Sequence, residues 1–431
     1  MNAPNPPYLA NPHHLCCRFC GADLHFELIN LGASPPSNSY LDSEALSRPE
    51  INYPLRVLVC SECWLAQTAD IVSHEELFSK DYAYFSSWSS TWVEHARVYV
   101  NRVIERFDLG PESMAVEIAA NDGYLLQHFL AKGIPCYGVE PTAGTAAAAR
   151  SRGLTIYEDF FGRATAKRLL RERGPADLMI ANNVLAHVPD INDFVEGFAE
   201  MLKPGGVVTF EFPHLHDLIK KDYIDSIYHE HFSYLSLTSL LHIFPPGGLE
   251  IFDVEMLPTH GGSMRVYAQR IDAHARKKEP AVERIRREEE AAGLKTVEFY
   301  QNLQQRANAI KYDLLEFLIK CKRENKSIVA YGAAAKGNTL LNYAGIKPDL
   351  LPCVYDAAPS KQGRFLPGSH IPILSSAEFK KTTPDYVLIL PWNLLDEIIS
   401  TYPHIEEAGG VWVTAIPRIT LHRRAKDGFT T

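Results

Sequence analysis

Residues 116–140 show the pattern of a strand, a turn, a helix and a second strand. The apolar run Val116–Ile118 leads into the small-residue turn Ala119–Gly123 and then into the start of a helix. A second apolar run, Cys136–Val139, ends at the acid Glu140. This order predicts the first half of a doubly wound nucleotide-binding sheet, in which the turn lets the backbone approach a ligand and the acid binds ribose hydroxyls.

The turn itself argues against a dinucleotide. Gly123 is its only glycine, so the three-glycine fingerprint is absent, and Glu117 is poorly placed to face a pyrophosphate. Both features favour a cationic adenosyl ligand. The pattern resembles that of class I S-adenosylmethionine-dependent methyltransferases. The resemblance implies a Rossmann-like core and a cofactor site made by Glu117, Ala119, Asn121, Asp122, Gly123 and Glu140.

Later segments extend this predicted sheet. Residues 154–160 are expected to form the third strand and its exit, with Asp159 a candidate for contact with the adenine amine. The apolar run Ala176–Asn183 predicts a buried fourth strand. Its end delivers Asn182, Asn183 and then His187 to the carboxyl edge, where ligands bind in open α/β sheets. Residues 202–212 predict a turn and the fifth strand.

Length and charge narrow the class of protein. A chain of 431 residues is expected to contain two or three domains. The formal charge of -9 gives no support for a nucleic-acid partner, although a local pocket can still bind an anionic substrate. No apolar run reaches the length of a membrane span, and the first residues lack the pattern of a signal peptide. We therefore expect a cytoplasmic enzyme with no membrane partner.

Five of the eight cysteines lie within the first 63 residues. Two C-x2-C pairs stand about 40 residues apart, a spacing typical of a four-cysteine zinc site. The predicted ligands are Cys17, Cys20, Cys60 and Cys63. In a reducing cytoplasm a metal site is favoured over disulfides, and the alternative is a set of incidental cysteines. Four thiolates leave no open coordination position, so the ion is expected to be structural.

The stretch from residue 77 to residue 90 is rich in tyrosine and serine. One interpretation is a linker that packs its aromatic side chains. The other is a substrate lid in which Tyr82 and Tyr84 present hydroxyl groups. Residues 91–107 follow with apolar side chains at helical spacing, which predicts an amphipathic helix.

The densest run of reactive side chains is Tyr228-His-Glu-His-Phe-Ser-Tyr234. It is open to three interpretations: a second metal site, a polar surface loop, or a general base with a carboxylate to orient it and a tyrosine to hold a substrate oxygen. Adjacent side chains seldom converge on one metal. The position after the fifth strand, near the edge where a methyl donor points, favours the third interpretation.

A Gly-Gly turn at residues 260–265 precedes another strand-like segment. It is either a structural turn or a close backbone approach at which His260 or Arg265 touches substrate. Residues 279–326 are charged and helical in period, and a core-facing stripe there predicts a helix that bridges to the last domain.

The last domain opens with a second strand–turn–helix pattern, Ser327–Asn338, which includes Lys336. It predicts either a phosphate-binding unit that takes a sugar-nucleotide pyrophosphate or a structural Rossmann-like turn. Asp356 ends a later strand where loops rim the predicted site. The residues predicted to bind substrate in this domain are Tyr331, Gly332, Ala335, Lys336, Gly337, Asn338 and Asp356.

These motifs occur in one order along the whole chain. Together they resemble the NDP-4-keto-deoxysugar 3-C-methyltransferases, a family of sugar-nucleotide C-methyltransferases. The resemblance implies an α/β protein with a small four-cysteine zinc module at 1–75, a class I Rossmann-like methyltransferase domain at 76–278, a helical linker at 279–326 and a Rossmann-like α/β domain at 327–431. One departure is Ala119, where such enzymes commonly carry glycine.

The resemblance also implies a reaction. The substrate is a nucleotide-linked 4-keto-6-deoxysugar, methylated at C3 through an enolate, because the ketone acidifies the neighbouring C–H bond. His231 is the implied general base, with support from Glu230, Tyr228, His187 and Tyr82. Two alternatives stay open: an O- or N-methyltransferase on a related metabolite, and a zinc-stabilised binding module without activity.

Overall fold

We describe residues 15–69, 72, 77, 85–425 and 428–430 of a computed structural model. The chain begins with strands β1 (Phe26–Ser34), β2 (Tyr53–Val59) and β3 (Ala66–Thr68), which pair antiparallel in that order. The two cysteine pairs lie before β1 and directly after β2. Within the described residues, no helix is both long and apolar enough to cross a membrane.

The central region alternates strands and helices, as the sequence predicted. Its elements are α1 (Ser90–Phe107), β4 (Ala115–Ile118), α2 (Leu126–Ala131), β5 (Cys136–Val139), α3 (Ala143–Ser151), β6 (Ile156–Tyr157), α4 (Arg163–Arg173), β7 (Ala176–Asn182), α5 (Ile191–Met201), β8 (Leu202–Pro213), α6 (Leu215–Lys220), β9 (Ser233–Tyr234), α7 (Leu237–Ile243), β10 (Leu249–Leu257) and β11 (Ser263–Arg270).

Most of these strands form one sheet in the order β10-β11-β8-β7-β4-β5-β6. The strands from β6 to β8 run parallel, and β11 and β10 run antiparallel at one edge. The chain leaves β4 towards one side and returns to β7 on the other. That reversal opens a crevice at the carboxyl ends of β4 and β7, which is where doubly wound sheets bind ligands.

Strand β9 lies outside this sheet. Ser233 and Tyr234 pair with Gln67 and Ala66 of β3, so they extend the N-terminal sheet. The segment just before β9, which carries the predicted catalytic residues, is therefore fixed between two sheets. This sheet also combines residues from both sides of the predicted boundary at residue 75.

Helices α8 (Pro280–Ala292), α9 (Val297–Tyr300) and α10 (Leu303–Arg323) connect to the last sheet. The described elements that follow are β12 (Ile328–Tyr331), α11 (Ala335–Ala344), β13 (Val354–Asp356), β14 (Ile373–Ser375), α12 (Ser376–Phe379), β15 (Tyr386–Ile389), α13 (Leu395–Thr401), α14 (His404–Glu407), β16 (Val411–Thr414), β17 (Thr420–Ala425) and β18 (Gly428–Thr430). The apolar stripe of α10 is buried, as predicted, with Leu303 and Leu314 fully covered.

The last sheet has the order β14-β13-β12-β15-β16-β17-β18 and is parallel from β14 to β16. Its own reversal lies between β12 and β15, so the turn after β12 stands at a second switch point. The fold confirms the predicted class: a four-cysteine N-terminal module, a Rossmann-like methyltransferase sheet and a second Rossmann-like α/β unit. The exact domain boundaries stay a prediction.

Candidate active site

The four predicted zinc ligands converge in the N-terminal module. Their sulfur atoms lie within 4.8 Å of one another, with Cys17 Sγ 3.6 Å from Cys63 Sγ and Cys20 Sγ 3.5 Å from Cys60 Sγ. Tetrahedral zinc with bonds of about 2.3 Å places its sulfurs about 3.8 Å apart. These separations are too long for disulfides and fit one tetrahedral ion, which the four thiolates would hold without an open position.

A cavity of about 340 Å³ lies between the carboxyl ends of the two parallel sheets. At one end it is lined by apolar side chains at the β4 and β5 termini, among them Ile118, Val139 and Phe161. At the other end it reaches the start of α11, with Ala335 and Lys336. The cavity thus combines the switch points of both sheets in one space.

The turn after β4 needs unusual backbone angles. Ala119 has φ +57°, Asn121 +49° and Gly123 +78°. A Cβ on Gly123 would lie 2.3 Å from Leu154 Cδ1 and 3.2 Å from Ala149 Cβ, so Leu154 would have to shift, and the positive φ favours glycine there in any case. Ala119 stands where the family that this chain resembles commonly carries glycine. Its backbone adopts the left-handed conformation that favours glycine, so alanine is strained at this position.

Glu140 stands at the end of β5 and lines the cavity. Its carboxylate accepts hydrogen bonds from the Asn121 amide at 2.8 Å and from the Thr142 amide at 2.9 Å. Burial raises the pKa of Glu140 by more than these hydrogen-bond donors lower it, so the net shift is upward. The fixed carboxylate retains lone pairs for the two hydroxyls of a ribose.

Three acids crowd the cofactor end of the cavity. Glu117 is buried behind the turn, and its Oε2 has no hydrogen-bond partner among the described residues. Burial, with the negative charges of Asp122 and Glu140, raises the pKa of Glu117 well above its usual value. A cationic ligand would relieve this repulsion, whereas a pyrophosphate would add to it. The residues present therefore fit S-adenosylmethionine, whose sulfonium and ammonium groups are positive.

Asn182 and Asn183 line the middle of the cavity at the end of β7. The side-chain oxygen of each is buried without a hydrogen-bond partner in the described structure. Such oxygens are expected to accept from a bound ligand. Asp159 also lines the cavity, where Arg168 lies 2.8 Å from its Oδ2.

The predicted catalytic segment faces the same cavity. Tyr228, Glu230 and His231 line it, as does His187 from the turn after β7. The ring centroid of His231 lies 3.9 Å from that of Tyr228 and 4.7 Å from that of His187. Tyr82 and Tyr84 lie outside the described residues.

The hydrogen bonding of His231 fixes its tautomer. Its Nδ1 lies 2.8 Å from the Ser226 carbonyl oxygen, which only accepts, so Nδ1 carries the hydrogen and Nε2 keeps its lone pair. Burial lowers the pKa of His231 well below its usual value, and the charges of His187 and Lys336 lower it further. Burial also lowers the pKa of His187 to about 4. Both imidazoles are thus neutral at neutral pH.

Lys336 brings a positive charge to the far end of the cavity. Its Nζ is buried and has no hydrogen-bond acceptor among the described residues. It lies 4.8 Å from the centroid of the Trp392 ring. Burial lowers the pKa of Lys336, while the charge of Asp225 opposes that effect. An ammonium group without an acceptor, next to the amides that open α11, is suited to an anionic ligand.

Comparison with known proteins decides the family. The chain is 32% identical to C-methyltransferase NovU of Streptomyces niveus over 401 residues, which cover 93% of this chain and 95% of that relative. The chain belongs to the C-methyltransferase family. Residues 17–78 match a model described as a zinc binding domain, residues 92–254 a methyltransferase domain, and residues 258–417 a C-methyltransferase C-terminal domain.

Two other likenesses cover much less of the chain. A ubiquinone biosynthesis O-methyltransferase of Nitrobacter winogradskyi is 31% identical over 94 residues, 22% of this chain and 36% of that protein. The magnesium protoporphyrin IX methyltransferase of Synechocystis PCC 6803 with bound SAH is 16% identical, with a TM-score of 0.33 and coverage of 41% of this chain and 83% of that chain. A TM-score of this size supports no argument. The family assignment establishes an S-adenosylmethionine-dependent C-methyltransferase with an N-terminal zinc module.

Several residues predicted to touch ligands do not line the cavity of this C-methyltransferase. Arg265 is buried in an ion pair with Glu211 and lies over the Tyr99 ring at 4.4 Å. The Tyr331 hydroxyl lies 2.6 Å from the Tyr402 hydroxyl within an aromatic cluster. Both side chains are thus held by protein partners, and their contact with substrate stays a prediction. His260, the alternative to Arg265, does line the cavity.

Other predicted residues shape the site from behind its wall. Asp122 accepts from Ser87 and faces Arg152. Asp356 accepts from the Ala333 and Ala358 amides at 2.7 Å each and so holds the turn after β12. Gly332, Gly337 and Asn338 also belong to this group, and they pack closely around the turn after β12. A Cβ on Gly332 would lie 2.4 Å from Pro391 Cδ, and one on Gly337 2.5 Å from Leu390 Cβ.

The sequence did not single out several polar or aromatic residues of the cavity wall, among them Asn38, Trp92 and Asn393. Asn38 comes from the loop after β1, Trp92 from α1 and Asn393 from the turn after β15. Asn38 belongs to a loop rich in proline and serine, and Trp92 fitted the apolar face of the predicted helix at residues 91–107. No local pattern distinguishes such residues, because only the packing of separate segments brings them to the site.

Proposed function

We propose that this C-methyltransferase methylates C3 of a nucleotide-linked 4-keto-6-deoxysugar in branched-sugar biosynthesis. The observation that carries the proposal is the layout of one cavity. A neutral histidine whose Nε2 keeps its lone pair lies between a cofactor end crowded with acids and a far end that holds Lys336, whose buried Nζ has no hydrogen-bond acceptor among the described residues. Such a cavity suits a cationic methyl donor at one end and an anionic nucleotide at the other.

When bound, S-adenosylmethionine supplies an electrophilic methyl group. The residues of the chain would bind it through Glu140 at the ribose and through Asn182 and Asn183 along the cavity. The cluster of Glu117, Asp122 and Glu140 would favour its positive charge.

His231 would then act on the sugar. A carbon next to a ketone becomes a nucleophile when it loses a proton, and Nε2 of a neutral imidazole accepts that proton. The enolate oxygen needs a hydrogen-bond donor, which the Tyr228 hydroxyl or His187 would supply from within a few ångströms of His231. Because His231 is held at Nδ1 by Ser226, its lone pair stays directed without rearrangement of the ring.

Lys336 would bind the pyrophosphate of the sugar nucleotide. The backbone N–H groups at the start of α11 would donate further hydrogen bonds to the pyrophosphate oxygens. Lys361 also lines the cavity. We place the enzyme in the cytoplasm, where nucleotide-activated sugars are made.

The test is mass spectrometry of a panel of nucleotide-linked 4-keto-6-deoxysugars after incubation with protein and S-adenosylmethionine in deuterated water. We expect a carbon-bound methyl group on one member and loss of both methylation and C3 exchange in His231→Asn. A methyl group on oxygen or nitrogen, with activity retained in His231→Asn, would support the alternative reaction. No methylation of any member would refute a keto-sugar substrate.

A further inference from the structure

A loop of the zinc module, Pro36–Leu41, crosses from the N-terminal sheet to the last domain. Two backbone hydrogen bonds join Leu41 of this loop to Phe365 of the last domain. The Leu41 amide donates to the Phe365 carbonyl oxygen at 3.0 Å, and the Phe365 amide donates to the Leu41 carbonyl oxygen at 2.8 Å. The buried Tyr40 hydroxyl lies 2.6 Å from the Ala333 oxygen, in the turn after β12. The loop is therefore fixed against the far end of the cavity.

This fixed loop brings Asn38 onto the predicted catalytic segment. Asn38 Nδ2 donates to Glu230 Oε1 at 2.6 Å, and Asn38 also lines the cavity. A carboxylate only accepts hydrogen bonds, so Glu230 orients the Asn38 amide with its NH2 group towards Oε1. The Tyr40 hydroxyl lies 3.2 Å from Asn38 Oδ1. A donor at this distance from an ionised carboxylate makes a charge-assisted hydrogen bond.

The zinc knuckle holds the same segment from the other side. The Arg18 guanidinium, between Cys17 and Cys20, donates to the carbonyl of Phe232, which directly follows His231. Arg18 also donates to Thr68 Oγ1 at 2.9 Å. With the pairing of β9 to β3, the zinc module thus contacts the segment immediately before and after His231.

We propose that Asn38 is a positioning residue of the active site: the zinc module supplies its amide to hold the Glu230 carboxylate in place beside His231. The proposal rests on the proposed function. It gives the four-cysteine site a part in catalysis without any zinc chemistry, because the ion fixes the module that carries Asn38 and Arg18. Glu230 is 2% exposed, so water does not replace a lost donor easily.

The test compares Asn38→Asp, which keeps the size but replaces the donor with an acceptor, and Asn38→Ala. Asn52→Asp, at an exposed asparagine of the same module, is the matched control. We expect kcat to fall about 10- to 150-fold in both Asn38 variants, the range for one hydrogen bond to a charged group. The KM for the sugar nucleotide and the Kd for S-adenosylmethionine should stay within about threefold of the wild-type values, since Asn38 acts through Glu230.

A second readout separates positioning from general disruption. In Asn38→Asp two carboxyl groups share one enclosed site, so the apparent pKa of the pair rises and the acid limb of the kcat profile moves to higher pH. The other titratable groups that line the cavity include Glu140, Asp159, His187, Tyr228, His231, His260, Lys336 and Lys361, and Tyr40 lies beside Asn38 in the loop itself. They are the same in both proteins, so a difference between Asn38→Asp and wild type reports on the Asn38–Glu230 contact.

The same shift can be measured without any substrate. Carboxyl 13C NMR of glutamate-labelled protein, with Glu230 assigned from Glu230→Gln, gives the titration of that group directly. A Glu230 titration that moves upward in Asn38→Asp but not in Asn52→Asp supports the proposal even if no keto-sugar is a substrate. Unchanged kcat and an unchanged Glu230 titration in Asn38→Asp would overturn it. A loss of kcat with no change in either titration would reduce Asn38 to a structural residue and would also overturn it.

Discussion

Replacing Lys336 with methionine removes the charge that we assign to the sugar-nucleotide pyrophosphate. Methionine keeps a chain of similar length, so contact with the Trp392 ring is retained while the ammonium is lost. Lys336 Nζ lies in the cavity wall with no acceptor from the described residues, so the substitution breaks no hydrogen bond seen within the protein. The expected effect is therefore on the ligand.

The magnitude follows from the burial of this charge. Two unit charges about 4 Å apart interact by about 4 kcal/mol at an effective dielectric of about 20. Truncation of one partner of a buried charge pair costs at least about 2 kcal/mol. We therefore expect the KM for the sugar nucleotide to rise about 30- to 700-fold, because about 1.4 kcal/mol corresponds to a factor of ten.

Asp225 complicates the single variant. Its charge acts on Lys336, and the Trp392 indole donates to its Oδ2 at 2.7 Å. Loss of the lysine leaves a fully enclosed carboxylate with less compensation, which lowers stability as well. The double variant Lys336→Met/Asp225→Asn removes both charges and should restore the melting temperature while the KM stays raised.

The assay is the initial rate of methyl transfer against sugar-nucleotide concentration, together with calorimetric titration of S-adenosylmethionine. The Kd for S-adenosylmethionine should stay within about threefold of wild type, since Lys336 lies at the other end of the cavity. Lys347→Met, at a lysine bonded to the Gly368 oxygen, is the matched control. A KM in Lys336→Met equal to that of the control would refute the assignment of the pyrophosphate to this end.

Four further outcomes are expected. His231→Asn should lower kcat about 100- to 10,000-fold and abolish C3 exchange while calorimetry shows normal S-adenosylmethionine binding. Gly123→Ala should weaken S-adenosylmethionine binding and destabilise the protein by about 2–5 kcal/mol, from positive φ and the Leu154 clash, whereas Gly110→Ala, with open space around it, should not. Burial raises the pKa of Glu211, but Arg265 and His95 outweigh it and hold the pKa at about 2. The ionised Glu211 carboxylate thus adds at most about 3 kcal/mol to the free energy of unfolding. This contribution is complete above the usual pKa of a glutamate and is lost as pH falls towards 2. Thermal melts of wild type and Glu211→Gln across this pH range will measure it. Metal analysis should give about one zinc per chain, and Cys63→Ser should lose it together with kcat.

The central sheet and the zinc ligands follow from local signals in the sequence. Apolar runs separated by small-residue turns predict where β4, β5 and β7 form. A continuous apolar run is typical of a strand that is buried on both faces of a parallel sheet. The C-x2-C spacing places two thiolates on one ion without reference to the rest of the chain. Glu140 and the Asn182–Asn183 pair could be predicted because their positions at strand ends place them at a sheet edge.

The partners that hold Arg265 and Tyr331 could not be predicted, for an equally physical reason. Arg265 and Tyr331 are polar residues on strands near the cavity. The sequence does not show which distant residue will pair with each of their side chains, or on which face of the strand that residue will lie. Glu211, on β8, takes Arg265 inward, and Tyr402, from the end of α13, takes the Tyr331 hydroxyl. Both partners are distant in sequence, so local patterns carry no signal of them.

Short-range spacing in the sequence was enough to predict the zinc module, the two α/β units and the turn after β4, and to nominate residues 228–231 as the reactive segment. The surroundings of that segment depend on contacts between distant parts of the chain, which the fold alone reveals. The fold places Asn38 on Glu230, the Ser226 carbonyl on His231 Nδ1 and Lys336 at the far end of the same cavity. Those contacts join residues from separate domains, and they exist because the two sheets present their carboxyl ends to a common space that the zinc module closes.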